Sequence, residues 1–297
     1  MNSNSIIAAA SQTHKSTSNQ DFFETVNNKN SLFAGVIVAD GLGSHARSEL
    51  SSKFAVESLK RKLEDCENLK VLDFDKFFNE IKHELKEYAL KSLTDEEILN
   101  NPFGTTLLCA IECEDVYKIA YVGNGAIFHV SGGFNLFGSK RYIPWNVNNL
   151  LNPHTVEEGG KSAMYKFISI NDEISCKPTL IQISKSEDTF GDIIIIASDG
   201  VYTNDELKIG KDDDGVVWIM GEESEILLLN RMDLYFKENE DLNEKNLQQT
   251  LDHFLTQMKE KNIMHDDTTL GVIISPKVVR FQETLKKKKS DETSANK

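Results

Sequence analysis

The chain has 297 residues, 39% of them hydrophobic and 27% charged, and a formal charge of −14, so it is long enough for an ordinary globular core and too acidic overall to bind a nucleic-acid backbone. No stretch approaches the ~20 apolar residues of a membrane helix, and Ile6 to Ala10 is too short, and lacks the basic flank, for a signal peptide. The cytoplasm is the expected compartment, with neither membrane nor nucleic acid among the partners.

Taken in chain order, Leu32 to Ala39 is an apolar, β-branched run ending in Asp40-Gly41, the pattern of a buried strand that delivers a carboxylate at its end. Two helices follow. Val56, Leu59, Leu63 and Cys66 share one face of the first, and Phe74, Phe77, Phe78, Ile81, Leu85 and Tyr88 share one face of the second. The period then becomes that of strands: Thr105 to Glu112, Val116 to Val122 and Ala126 to Val130, with turns at Glu114-Asp115 and Gly123-Asn124-Gly125. The stretch 137–162 has no clear periodicity. Strands are predicted at Tyr165 to Ile170, Thr179 to Ser184 and Asp192 to Ala197, the last running into Ser198-Asp199-Gly200. The stretch 204–240 is irregular, Glu244 to Lys261 reads as a helix with Leu247, Leu251, Phe254, Leu255 and Met258 on one face, and Thr268 to Ile274 is a final strand.

Strands, two helices, many strands, a helix and a strand give an α+β sandwich, helices covering stacked antiparallel sheets. No repeat and no boundary interrupts residues 1–275. Residues 276–297 hold seven Lys and Arg against three acids and read as a basic, disordered tail. The four cysteines (Cys66, Cys109, Cys113, Cys176) form no CxxC pair and read as buried or inert thiols.

Chemistry is concentrated where apolar strands stop. Asp40, Asp199 and Asp266 lie at strand ends, and Asp21 closes the polar segment Ser18-Asn19-Gln20-Asp21. Singly, an Asp before Gly is a turn residue. Several carboxylates converging at one end of a core would repel unless a multivalent cation neutralised them, and all-oxygen ligands favour Mg²⁺ or Mn²⁺ over zinc. Convergence itself does not follow from the sequence.

Asn19-Gln20-Asp21, Val38-Ala39-Asp40-Gly41-Leu42-Gly43-Ser44-His45, Phe103-Gly104-Thr105-Thr106, Val122-Gly123-Asn124-Gly125, Ala197-Ser198-Asp199-Gly200 and Asp266-Asp267-Thr268-Thr269 resemble, in this order, the successive signatures of the PPM (type 2C) metal-dependent Ser/Thr protein phosphatases. The spacing from His14 to Gln20-Asp21 is similar to a bacterial branch. The resemblance implies a four-layer α-β-β-α sandwich, with two stacked antiparallel sheets flanked by helices, and hydrolysis of phosphoserine and phosphothreonine on proteins by a metal-bridged hydroxide. It implies two Mg²⁺ or Mn²⁺ ions, with Asp40 bridging them, the Gly41 carbonyl a further ligand, Asp199 and Asp266 completing one site and Asp21 serving the other. Gln20, Asn124 and Asp267 would stand behind these ligands.

Three departures qualify this pattern. Gln20 replaces a frequent Glu, Asn124 replaces an Asp that helps hold a weak third ion, and the family's phosphate-binding Arg is missing, which leaves His14 or Lys15 in its place. His45 is read either as general acid for the leaving alkoxide or as a helix cap; His154 and three other histidines read as structural or exposed. A phosphoprotein substrate, a Ser/Thr kinase or its target, is the expected partner of a monomer. A pseudophosphatase that binds a phosphoprotein or kinase without turnover is the alternative that Gln20 and Asn124 raise, and a scaffold with purely structural carboxylates is a third.

Overall fold

The computed structural model describes the chain apart from residues 1–4, 15–17, 29–32, 46, 68–71, 101–102, 132–145, 159–160, 186–189, 202–207, 212–216, 221–222 and 296–297. The first half contains β1 (Ile6–Gln12), β2 (Asp21–Asn28), β3 (Phe33–Asp40), α1 (Ser48–Glu64), α2 (Phe74–Ser92), α3 (Asp95–Asn100), β4 (Gly104–Thr105), β5 (Leu107–Glu112), β6 (Val116–Val122) and β7 (Ala126–Ser131). The second half adds β8 (Asn146–Asn149), β9 (Thr155–Glu158), β10 (Lys161–Met164), β11 (Ile168–Ser169), β12 (Thr179–Ser184), β13 (Asp192–Ala197), β14 (Lys208–Lys211) and β15 (Val217–Met220). It closes with α4 (Glu223–Glu238), α5 (Glu244–Glu260), β16 (Thr268–Ile274) and α6 (Pro276–Ala295).

Two five-stranded antiparallel sheets, in the orders β1-β16-β13-β7-β8 and β12-β6-β5-β3-β2, form the centre of the fold. The alternation of side chains along a strand explains why the central strands read as unbroken apolar runs. In β13, Ile194 and Ile196 face the other sheet while Ile193, Ile195 and Ala197 face helices. In β3, Val36 and Val38 turn inward to meet them, and Ile37 and Ala39 turn out toward α1 and α2. The sheets approach closely at Gly271, where a Cβ would lie 2.9 Å from the Cβ of Val36.

Helices α1 and α2 cover one sheet through Val56, Leu59, Leu63, Phe78, Ile81 and Leu85, and α4 and α5 cover the other through Met232, Tyr235, Leu251, Phe254 and Met258. The result is the four-layer α-β-β-α sandwich. Asp73 caps α2 by accepting the Lys76 N–H at 2.9 Å, and Asn243 caps α5 by accepting the Asn246 N–H at 2.9 Å, each satisfying a donor that the first helical turn leaves open.

Several elements differ from the sequence reading. The predicted strand at Tyr165 to Ile170 shortens to Ile168–Ser169, and the aperiodic stretches contain the β9–β10 hairpin and, further on, β14, β15 and α4. The expected disordered tail is a helix over Pro276–Ala295. Its first turns bury Val278, Val279 and Gln282, and Phe281 lies 4.8 Å from the Phe190 ring. Composition averaged over the whole segment hides this short apolar stripe behind the lysines that follow it. Cys109, Cys113 and Cys176 are buried, and none of the four cysteines is in a disulfide.

Deleting residues 276–297 therefore uncovers buried valine surface. We expect it to lower unfolding stability by at least about 2 kcal/mol, read by urea denaturation, whereas an unchanged midpoint and slope would mean that α6 contributes nothing to the core.

Candidate active site

Strand pairing brings the carboxylates together. Asp21 opens β2 and Asp40 closes β3, and the two are direct partners in the antiparallel register, so their side chains project from the same face. In the facing sheet β13 ends at Ala197 opposite Leu270 of β16, which puts Ser198-Asp199 and Asp266-Asp267 at neighbouring strand ends. The Asp40 carboxyl lies within hydrogen-bonding reach of both Asp21 and Asp199.

Each carboxylate is held by named groups. The Asp40 backbone is gripped from both sides: its N–H donates to Thr106 Oγ1 at 2.9 Å, and its carbonyl accepts from Thr106 N–H and from Thr105 Oγ1, each at 2.8 Å. Asp21 Oδ2 accepts from Ser198 Oγ at 2.7 Å, and that hydroxyl in turn accepts the Thr269 N–H at 2.9 Å. Asp199 Oδ2 accepts from the Asn124 amide at 2.5 Å. Asp267 accepts the His14 N–H at 2.8 Å and the Gln20 N–H at 2.7 Å, so one carboxylate holds the backbone at two points ahead of Asp21.

Small residues let these parts approach. A Cβ on Gly41 would lie 2.3 Å from the Ser48 carbonyl, and one on Gly200 would lie 2.1 Å from that of Asp267. The first turn of α1 supplies hydroxyls rather than bulk. Ser51 Oγ donates to the Gly104 carbonyl at 2.7 Å, and Ser52 Oγ donates to the Gln20 carbonyl at 2.5 Å, which also accepts the Gly41 N–H at 3.1 Å. The Gln20 side chain lies over Gly43, with Oε1 3.1 Å from where a Cβ would stand.

Burial and mutual repulsion act together on these acids. Burial raises the pKa of Asp21 well above the carboxylate range despite the Ser198 hydrogen bond. Asp40 is raised by burial and then by the charges of Asp21, Asp199 and Asp266, and Asp199 by burial and then by Asp266. A low-dielectric site holding several carboxyls favours either bound protons or a compensating cation.

The donor set fits divalent Mg²⁺ or Mn²⁺, because every candidate ligand is an oxygen. Asp21 Oδ1 and Asn124 Oδ1 are buried at the cluster with no hydrogen-bond donor among the described residues, as oxygens awaiting a cation would be. Asp40, Asp199 and Asp266 keep part of their surface open to solvent, which gives an ion access. Among the described residues no three His, Cys, Asp or Glu side chains already surround one ion-sized point. The fit is thus one of charge and donor chemistry.

The histidines separate. His14 stands at this end of the sandwich, its backbone on Asp267 and its ring stacked 6.3 Å from that of His265. His45 packs 5.9 Å from the Phe167 ring, and burial lowers its pKa to about 4. Lys15 lies outside the described residues, as do residues 132–145. Sequence reasoning assigned no role to Ser198, Thr269, Thr105 or Thr106, although all four stood inside the quoted motifs. It also passed over His154, which is buried and bonded to Gly123 at 3.0 Å.

The sequence model described as protein phosphatase 2C matches residues 9–255. The chain belongs to the protein phosphatase 2C family. Comparison with curated protein sequences finds no match. Among solved structures, the serine/threonine phosphatase Stp1 from Staphylococcus aureus is 17% identical, with 90% of this chain and 94% of that one covered at a TM-score of 0.60. The S. agalactiae serine/threonine phosphatase is 16% identical over 91% of this chain and 99% of that one, with a TM-score of 0.62. PppA, a regulatory component of T6SS in Pseudomonas aeruginosa, is 14% identical over 92% and 98%, with a TM-score of 0.58. At such identities the likeness is one of fold. No helix among the described residues is long and apolar enough to cross a membrane.

If Asp40 is crowded by like charges, removing its charge relieves the fold. Asp40→Asn should raise the unfolding free energy of the metal-free protein at pH 7.5 by on the order of 1–2 kcal/mol. A loss of stability in EDTA would show that the carboxyls are not in electrostatic conflict.

Proposed function

We propose that this protein removes phosphate from phosphoserine and phosphothreonine of proteins in a reaction that depends on Mg²⁺ or Mn²⁺. The observation that carries the reading is the Asp40 carboxyl set between Asp21 and Asp199 on the ends of two facing sheets. Family membership supports phosphatase chemistry, and the all-oxygen donor set supports a hard divalent ion.

Asp40, Asp199, Asp266 and the Gly41 carbonyl would hold one ion, and Asp40 with Asp21 a second. When bound, such a pair supplies Lewis acidity that brings the pKa of water from ~15.7 toward about 7 and neutralises charge on phosphoryl oxygens. The rest is work for the chain's own groups. Thr105 and Thr106 fix the Asp40 backbone at the end of β3. Ser198 orients Asp21, and Asn124 orients Asp199. An Asp in place of Asn124 would turn this donor into a second acceptor 2.5 Å from Asp199, so the amide suits a centre built for two ions better than one built for three.

His14 is the side chain that we assign to substrate phosphate. Asp267 fixes its backbone beside the cluster, and the imidazole can donate to a phosphoryl oxygen where the family has a guanidinium. His45, neutral and packed on Phe167, is left a positioning role at the entry to α1.

Purified protein should release phosphate from phosphothreonine peptides with millimolar Mn²⁺, lose that activity in EDTA, and lose at least about 100-fold in kcat on Asp40→Asn. Turnover that survives EDTA, or an active D40N enzyme, contradicts the reading.

A further inference from the structure

Among the groups that the site does not use, His154 has the most specific surroundings. It stands between β8 and the β9–β10 hairpin, buried, with every polar atom of the residue engaged. Its backbone N–H donates to the Gly123 carbonyl at 3.0 Å, and its Nδ1 accepts the Gly123 N–H at 3.0 Å, so both polar groups of Gly123 are bonded to one residue. That geometry places the ring proton on Nε2, which donates to Thr179 Oγ1 at 2.8 Å. The ring lies flat on Tyr121, centroids 5.0 Å apart at 14°. The Tyr121 hydroxyl in turn bonds both the N–H and the carbonyl of Asn152 at 3.1 Å. The His154 carbonyl accepts the Tyr165 N–H at 3.0 Å.

Gly123 is an uncommon place to attach such a clamp. Its φ of 98° lies in the left-handed region, and a Cβ there would come within 2.6 Å of Thr106 Cγ2. The backbone of Gly123 thus rests directly on the threonine that grips Asp40, and the next residue is Asn124, whose amide holds Asp199. A shift of Gly123 moves the supports of two carboxylates on two different sheets.

We infer that His154 is a positioning residue for the metal centre: through Gly123 it sets Thr106 and Asn124, and hence the spacing of Asp40 and Asp199, and it couples that spacing to the segment leading into the β9–β10 hairpin. The inference rests on reading the carboxylate cluster as a divalent-ion site. Burial brings the His154 pKa down to about 4, so the Nδ1 lone pair stays available to Gly123 across the physiological range. A charged imidazole would have no acceptor to offer.

The test is Mn²⁺ binding to the full chain by isothermal titration calorimetry, with circular dichroism to confirm folding. His154→Ala should weaken Mn²⁺ affinity by about 10-fold or more, the range seen when groups behind a metal ligand are removed, while the KM for a phosphopeptide at saturating Mn²⁺ stays near the wild-type value. His154→Asn keeps an acceptor close to the Nδ1 position and should bind Mn²⁺ more like wild type than like H154A. His154→Gln reaches the Thr179 side but offers Gly123 no acceptor and should resemble H154A. A folded H154A with wild-type affinity overturns the inference; if H154A does not fold, equal affinities of H154N and H154Q overturn it. Failure of the wild-type protein itself to bind Mn²⁺ defeats both this inference and the metal-centre reading, and is told apart because it appears before any substitution is made.

Discussion

The structure turns on one electrostatic conflict. Asp40 is flanked by the charges of Asp21 and Asp199 in a poorly hydrated place, and burial and repulsion push all three pKa values upward. Left alone, such groups would swing apart into water. They do not, because each is held by its neighbours: Asp40 through its backbone on two threonines, Asp21 Oδ2 by the Ser198 hydroxyl, and Asp199 Oδ2 by the Asn124 amide. Stability given up at this end of the sandwich is the condition for strong attraction of a divalent cation there.

The fold makes that arrangement affordable in physical terms by keeping the conflict at a margin. Both sheets are apolar on both faces along their central strands, and Val36, Val38, Leu108, Ile194, Ile196 and Ile273 belong to one buried inter-sheet core. The acids begin only where those strands stop. A sheet-to-sheet approach as close as that of Gly271 to Val36 leaves the strand ends little freedom to relax. The loops follow the same logic: Gly41, Gly123 and Gly200 each occupy positions where a methyl group would strike backbone or a supporting side chain. Hydroxyls of Ser51, Ser52 and Thr105 then satisfy the carbonyls that such tight packing turns inward.

Much of this was legible in the sequence, and the remainder was not for identifiable reasons. The buried strands of β3, β5, β13 and β16 announce themselves because both faces are apolar, and α2 and α5 because their stripes recur at helical spacing. β1 and β2 do not. The Ala8-Ala9-Ala10 run carries little β preference, and β1 exists because its whole length pairs with β16, Ile6 with Ile274 through Gln12 with Thr268. β2 is an edge strand in which Asp21, Glu24, Asn27 and Asn28 break up the apolar pattern. α6 escaped because its lysines dominate the average. In the site, the acids were conspicuous at strand ends, yet the serines and threonines that hold them carry no charge and have no period. His154 looked ordinary because its two bonds to the Gly123 backbone, one from its own N–H and one to its ring Nδ1, join residues far apart in the chain.

The central claim is that the carboxylates of Asp21, Asp40 and Asp199 are kept together for divalent cations. A crystal grown or soaked with Mn²⁺ and measured for anomalous scattering tests it most directly. The account predicts two anomalous peaks at the strand ends, with an Asp40 oxygen ligating both and Asp199 and Asp21 on opposite sides. An anomalous map with no peak within ligand distance of Asp40, in crystals where Mn²⁺ has access to the site, would contradict it.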